Sequence, residues 1–146
     1  MISIRDVMVG DWLQNTNGNV GKVIGIEYYS EHDDYDVVMR YNEDSTCYSS
    51  PKLLAPIPIT QDTLEKNGFI NDFYEDESVA DYIKVRNEGY SLRCKANGWD
   101  DALVTWCNRS VNVITDFNGE VRRDMDYVHE LQHALRLCGI EKEIVL

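Results

Sequence analysis

Cations are scarce in this chain. Lys and Arg number 14 against 26 Asp and Glu, a formal net charge of −12 over 146 residues. Phosphate backbones are held by Lys and Arg, so direct nucleic-acid binding is disfavoured. Docking on an anionic membrane is disfavoured for the same reason. No apolar run approaches the length of a transmembrane helix. Met1-Ile2-Ser3-Ile4-Arg5-Asp6 lacks the basic segment and long apolar run of a signal peptide. A cytoplasmic protein away from the membrane is the expectation.

Other absences remove particular chemistries. Cys47, Cys94, Cys107 and Cys138 are widely spread with no C-x-x-C pair, which excludes a zinc ribbon or finger and leaves isolated thiols. Gly18, Gly21 and Gly25 have no following helix or Lys, so there is no phosphate-binding loop. No nucleophile elbow occurs, and no local pattern singles out Cys94 or Cys107 as the partner of a histidine. Asn108-Arg109-Ser110 matches a glycosylation acceptor but has no secretion route. No cofactor is implied.

What remains is an ordinary globular composition, 43% hydrophobic and 10% aromatic. Val7 to Leu54 reads as short strands. Trp12-Leu13 opens one, Asn17-Gly18-Asn19 is a hairpin turn, Val20 to Tyr29 and Tyr35 to Tyr41 flank a polar tip, and Thr46-Cys47-Tyr48 follows. This predicts an SH3-like small β-barrel over 1–56. The only prolines, Pro51, Pro56 and Pro58, mark a boundary there.

The second part, 57–146, is predicted to be α+β. Thr60 caps a short helix that ends at Asn67-Gly68, with Ile59 and Leu64 spaced as a hydrophobic staple. Asp72 to Ser78 reads as an acidic loop or hairpin edge. An antiparallel meander follows, in strands Val79–Arg86, Tyr90–Ala96, Ala102–Cys107 and Val111–Phe117, with turns at Asn87-Glu88-Gly89, Asn97-Gly98 and Asn118-Gly119. An amphipathic helix from about Asp126 to Cys138 stops at Gly139, with Val128, Leu131, Leu135 and Cys138 on its core stripe. Ile144-Val145-Leu146 has the composition of a further edge strand.

One literal catalytic motif is present. His129-Glu130-Leu131-Gln132-His133 reads H-E-x-x-H, in which two histidines on one helix face bind Zn²⁺ and the glutamate acts as base toward metal-bound water. His129 and His133 would be the ligands and Glu130 the catalytic base of a zinc metallopeptidase. A third ligand is required. Arg136 and Gly139 stand where the longer signature has Gly and His. His32, the other histidine, lies on a distant loop. At about 100° per residue, His129 and His133 point away from the stripe centred between Leu131 and Cys138, so the expectation is two polar side chains on a solvated face.

Three further features are weighed the same way. His32-Asp33-Asp34-Tyr35-Asp36 groups oxygen ligands without the glycine and distant glutamate of a calcium loop, and reads as a solvated tip. Asp72 to Asp81 reads as a solvated charge run rather than a site for a cation or a basic partner. Trp12, Trp99, Trp106 and the tyrosines read as core and hairpin packing rather than a ligand groove.

Three stretches carry a resemblance. They are Val9-Gly10-Asp11-Trp12, then Leu54-Ala55-Pro56-Ile57-Pro58-Ile59-Thr60 running into Leu64-Glu65-Lys66-Asn67-Gly68-Phe69, and finally Tyr127-Val128-His129-Glu130-Leu131-Gln132 with Ala134-Leu135 and Gly139. Together they resemble an uncharacterised family of small gut-bacterial proteins, often encoded near phage or mobile elements. That family's terminal motif is similar to Y-V-H-x-L-Q-N, with Asn usual where His133 stands and variation at the Glu130 position. The resemblance implies a bacterial cytosolic, non-enzymatic protein and transfers no catalytic residue. The leading expectation is an accessory or protein-interaction module, with a basic partner suited to the acidic surface. Alternatives are the zinc metallopeptidase and an acidic nucleic-acid mimic. Edge strands and exposed aromatics permit a homodimer.

Overall fold

The computed structural model describes the backbone of residues 1–31, 33–75, 86–115 and 119–146, and the side chains of these except 72–75, 86–88 and 119–121. The architecture is α+β, with antiparallel sheets and few helices. The chain divides into two compact units: Met1–Pro58 with Tyr127–His129, and Ile59–Asp126 with Glu130–Leu146.

The first unit is a five-stranded antiparallel sheet in the order β4-β3-β2-β1-β5. Its strands are β1 (Trp12–Asn15), β2 (Val20–Tyr29), β3 (Asp34–Asn42), β4 (Ser45–Ser49) and β5 (Leu54–Pro56). A 3-10 turn at Pro51–Leu53 leads into β5. No ladder joins β4 to β5 among the described residues, so the sheet is open where a closed barrel was expected. The β1–β2 turn forms because the Asn15 side chain accepts from the backbone N–H of Asn17 and Asn19, at 2.9 and 3.0 Å, while Gly18 takes φ +79°.

One face of this sheet carries the core of Leu13, Val23, Val37 and Met39, joined by Ile2, Val7 and Leu54. Val23 and Ile26 are three residues apart, an odd spacing that would put them on opposite faces of a regular strand. A β-bulge between Val23 and Gly25 absorbs the extra residue, so Val23 pairs with Met39 and Ile26 with Val37 on one face.

The second unit holds another antiparallel sheet, β10-β9-β8-β7-β6. Its strands are β6 (Ile70–Glu75), β7 (Arg86–Ala96), β8 (Asp100–Cys107), β9 (Ser110–Thr115) and β10 (Gly119–Asp124). Of the loop or hairpin edge expected from Asp72, residues 72–75 take the second form, in the edge strand β6. One expectation is corrected: Asn87-Glu88-Gly89 is no turn but the interior of β7, paired with Tyr74, Phe73 and Asp72. The strand expected over Val79–Arg86 lies, save Arg86, outside the described residues, as do Asp116–Asn118 before the expected Asn118-Gly119 turn. The β8–β9 turn uses Asn108 and Arg109, both at positive φ (46° and 72°), as a two-residue hairpin of primed type requires. The Arg109 guanidinium forks onto Asp126, at 2.5 and 2.6 Å.

Both helices of this unit end alike. Helix α1 (Gln61–Lys66) is capped by Thr60, whose hydroxyl accepts from Thr63 N at 3.2 Å. It closes with Gly68 N to Glu65 O and Phe69 N to Leu64 O, both 3.0 Å. Helix α2 (Val128–Leu137) closes with Gly139 N to Arg136 O and Ile140 N to Leu135 O, 3.0 and 2.8 Å. Both glycines have positive φ, and the apolar residue after each, Phe69 and Ile140, is buried. Gly139 has no room for a side chain, because a Cβ there would collide with Asn97, whose N–H donates to Gly139 O at 2.7 Å.

The last residues form no edge strand. Two side-chain amides hold them instead. Gln132 donates to Lys142 O (3.0 Å) and accepts from Ile144 N (2.6 Å). Asn67 donates to Val145 O (2.7 Å) and accepts from Val145 N (2.8 Å). The Ile144 side chain between them is buried.

Gly18→Ala should cost about 1–2 kcal/mol, the left-handed backbone cost alone, since a Cβ there meets nothing within 4 Å. Gly139→Ala should cost clearly more, and urea midpoints of the two variants check the order. Gln132→Ala removes the acceptor of the Ile144 N–H and the donor to Lys142 O and should cost about 1–3 kcal/mol. Hydrogen exchange of that amide should accelerate more than that of Val113 in the sheet.

Candidate functional site

The H-E-x-x-H segment starts helix α2. The backbone of its first turn is fixed by Val128 N donating to Ile57 O at 2.8 Å, beside a Pro58–Tyr127 bridge. The His129 ring lies parallel to Tyr127, 6.0 Å between centroids and 22° between planes. His129 is only 5% exposed. This corrects the expectation of two solvated imidazoles: His133 is half-buried and His129 is buried. The wheel failed because the buried arc of α2 extends from Ala134 and Leu131 through Leu135, Val128 and Gln132 to His129. Leu137, by contrast, is 87% exposed. Polar Gln132 is drawn inside by the tail it binds, a contact that residue hydropathy does not encode.

Glu130 has a local structural role. Its carboxylate accepts from Asp126 N at 2.9 Å, satisfying a backbone donor just ahead of the helix, where an anion is also favoured by the helix dipole. Among the described residues no group of three or more His, Cys, Asp or Glu is arranged to hold a metal ion. His32, considered as a distant ligand, lies outside the described residues, as do Asp76–Asp81 of the acidic run.

Two carboxylates of the tip between β2 and β3, those of Asp33 and Asp34, are engaged by protein donors. Asp33 accepts from the Tyr28 hydroxyl at 2.6 Å, Asp34 accepts from Tyr35 N at 2.9 Å, and Lys52 Nζ lies 3.6 Å from Asp34. None of the four cysteines forms a disulfide. Burial pushes the thiols of Cys94 and Cys138 up, against thiolate formation.

The tryptophans divide. Trp106 packs on Tyr90 at 6.4 Å, and Lys22 sits 5.8 Å over Trp12, whereas Trp99 is 64% exposed at the β7–β8 turn. The tyrosines of the first unit depart most from the expected packing role. Tyr28, Tyr29, Tyr35 and Tyr48 are all exposed. They form two ring pairs, Tyr28–Tyr35 at 5.0 Å and Tyr29–Tyr48 edge-on at 6.4 Å. The sequence shows the tyrosines but not the second pair, because Tyr29 and Tyr48 meet only through the registers of β2, β3 and β4.

The chain matches no family model, no curated protein and no solved structure. Among the described residues no helix is long and apolar enough to cross a membrane.

The hydrogen bond to Asp33 raises the Tyr28 phenol, and loss of hydration with nearby Tyr48, Glu27 and Asp36 raises Tyr29. Phenols raised by folding stabilise the fold fully below their unfolded pKa of about 10 and cease to do so as pH climbs through the folded values. Absorbance titration at alkaline pH should therefore show a late-ionising class of tyrosines, and Tyr28→Phe should remove one group from it.

Proposed function

We propose that this protein is a non-enzymatic interaction module, an accessory protein of bacterial or prophage origin that recognises a protein partner by surface contact. The observation that supports this most directly is the set of four exposed tyrosines, paired ring to ring on the β2–β3–β4 part of the first sheet. Tyrosine is favoured at interfaces, where a rigid apolar ring and a hydroxyl contact the partner together. The order β4-β3-β2-β1-β5, with β5 returning beside β1, supports an SH3-like reading of that sheet.

This reading accounts for the H-E-x-x-H segment without a metal. His129 is packed on Tyr127, and Glu130 binds the backbone ahead of its helix. The nucleic-acid-mimic reading is less well supported, because cations pair with the carboxylates at Lys95–Asp101, Arg109–Asp126 and Arg136–Glu143.

Metal analysis separates the module from a metallopeptidase. Protein dialysed after exposure to zinc should hold well under one equivalent, and His133→Ala should leave that content nearly unchanged. One equivalent of zinc that disappears in His133→Ala, together with peptide hydrolysis lost in Glu130→Gln, would overturn the proposal.

A further inference from the structure

The ladder registers sort the hairpin's side chains onto two faces. Met39 and Val37 lie on the core side, so Val38 and Asp36 lie on the outer side. Opposite them stand Gly25 and Glu27 on β2, with Tyr29 at the end of the strand. On the other flank Tyr48 pairs with Val38. Tyr29 and Tyr48, 40% and 56% exposed, thus meet edge-on over an outer face that carries Glu27 and Asp36. Gly25 gives this face a low floor, since it places no side chain over Val38, which is half-buried.

The charge on this face is graded. From Glu27 to Asp36 the sequence holds five carboxylates and no Lys or Arg. Lys52 approaches from one border and meets Asp34. Arg40 stands on the same face, but four residues beyond Asp36 and next to Lys22 across the ladder. Aromatic rings flanked by carboxylates suit a guanidinium or ammonium group, which can lie against a ring while pairing with an acid. An anionic segment would meet Glu27 and Asp36 as like charges, and a purely apolar one would strip both of water without replacing it.

We propose that this outer face, built from Tyr29, Tyr48, Glu27 and Asp36 over the Gly25–Val38 floor, docks an extended Arg- and Lys-rich segment of a protein partner. The inference rests on the interaction-module reading and adds to it the place of contact and the chemistry of the occupant. Long cationic side chains lie along the tyrosine rings, and their charged ends reach the two carboxylates. The overall charge of −12 brings the segment in, and the face selects it.

The test uses the full chain and a fluorescein-labelled octa-arginine peptide, read by anisotropy at two salt concentrations. Binding should weaken with salt and fall at least about tenfold in a Tyr29→Ser/Tyr48→Ser double variant. It should fall similarly in Gly25→Val, which covers the floor at ordinary contact distance from Val38 and keeps a β-compatible backbone. Matching circular dichroism and melting curves establish that these variants fold. Glu141→Gln, which removes one charge elsewhere, should change binding less than twofold. Equal binding by wild type and the tyrosine double variant, or equal losses in Glu141→Gln and Gly25→Val, would overturn the proposal in favour of a diffuse acidic field. A phage-displayed random peptide library, selected on wild type and counter-selected on the double variant, separates the two levels of the argument. Lys- and Arg-rich peptides support both. Enriched peptides lacking cations overturn the occupant and leave the module. No enrichment, together with one equivalent of bound zinc, overturns the module itself.

Discussion

The second unit depends on how it satisfies a stretch of backbone that belongs to no helix or sheet. Residues after Ile140 have no ladder partner among the described residues, yet Ile144 is buried. A buried N–H or C=O without a partner costs more than a hydrogen bond returns, so something must stand in for a strand. Gln132 and Asn67 do so, because a carboxamide offers one donor and one acceptor, the same pair that a neighbouring peptide would present. Asn67 also donates to Thr63 O, which ties the end of α1 to the same tail. Gly139 is what lets the chain turn back toward these amides, and its approach to Asn97 joins the turn to the β7–β8 hairpin.

That arrangement explains why the last helix misleads. With the tail along one side, Gln132 is an interior residue and Leu137 a surface one. The apolar stripe of Val128, Leu131 and Leu135 was legible because it follows the helical period. Burial of His129 was not, since its ring packs on Tyr127, two residues before it, a contact that follows no helical period. Both helix stops were legible, as Gly68 and Gly139 each take the left-handed conformation that favours glycine. The Asn87-Glu88-Gly89 turn was misread because local turn chemistry lost to pairing along the whole of β7.

For the first unit, strand positions were legible and closure was not. Val20–Tyr29 coincides with β2, and Tyr35–Tyr41 falls within β3, because alternation and the Asn-Gly turn are local signals. Whether β4 and β5 close a barrel depends on curvature that no local pattern records. The face bearing Tyr29 and Tyr48 was hidden for a related reason. Alternation counted from Val23 without the bulge places Ile26 outward and Glu27 inward, the reverse of the structure.

The bulge itself gives Ile24 an unusual status. Val23 and Gly25 each have a partner on β3, and Ile24, between them, has none. Loss of that single residue would leave every later side chain of β2 on its present side, since the pairs from Gly25 onward already follow Val23 in regular alternation. What it would remove is the added local twist of a bulged strand. Ile24 therefore sets the direction in which the hairpin leaves the sheet, a steering role separable from sidedness, and hence a position at which natural variation in length can re-aim the tip without rewriting its chemistry.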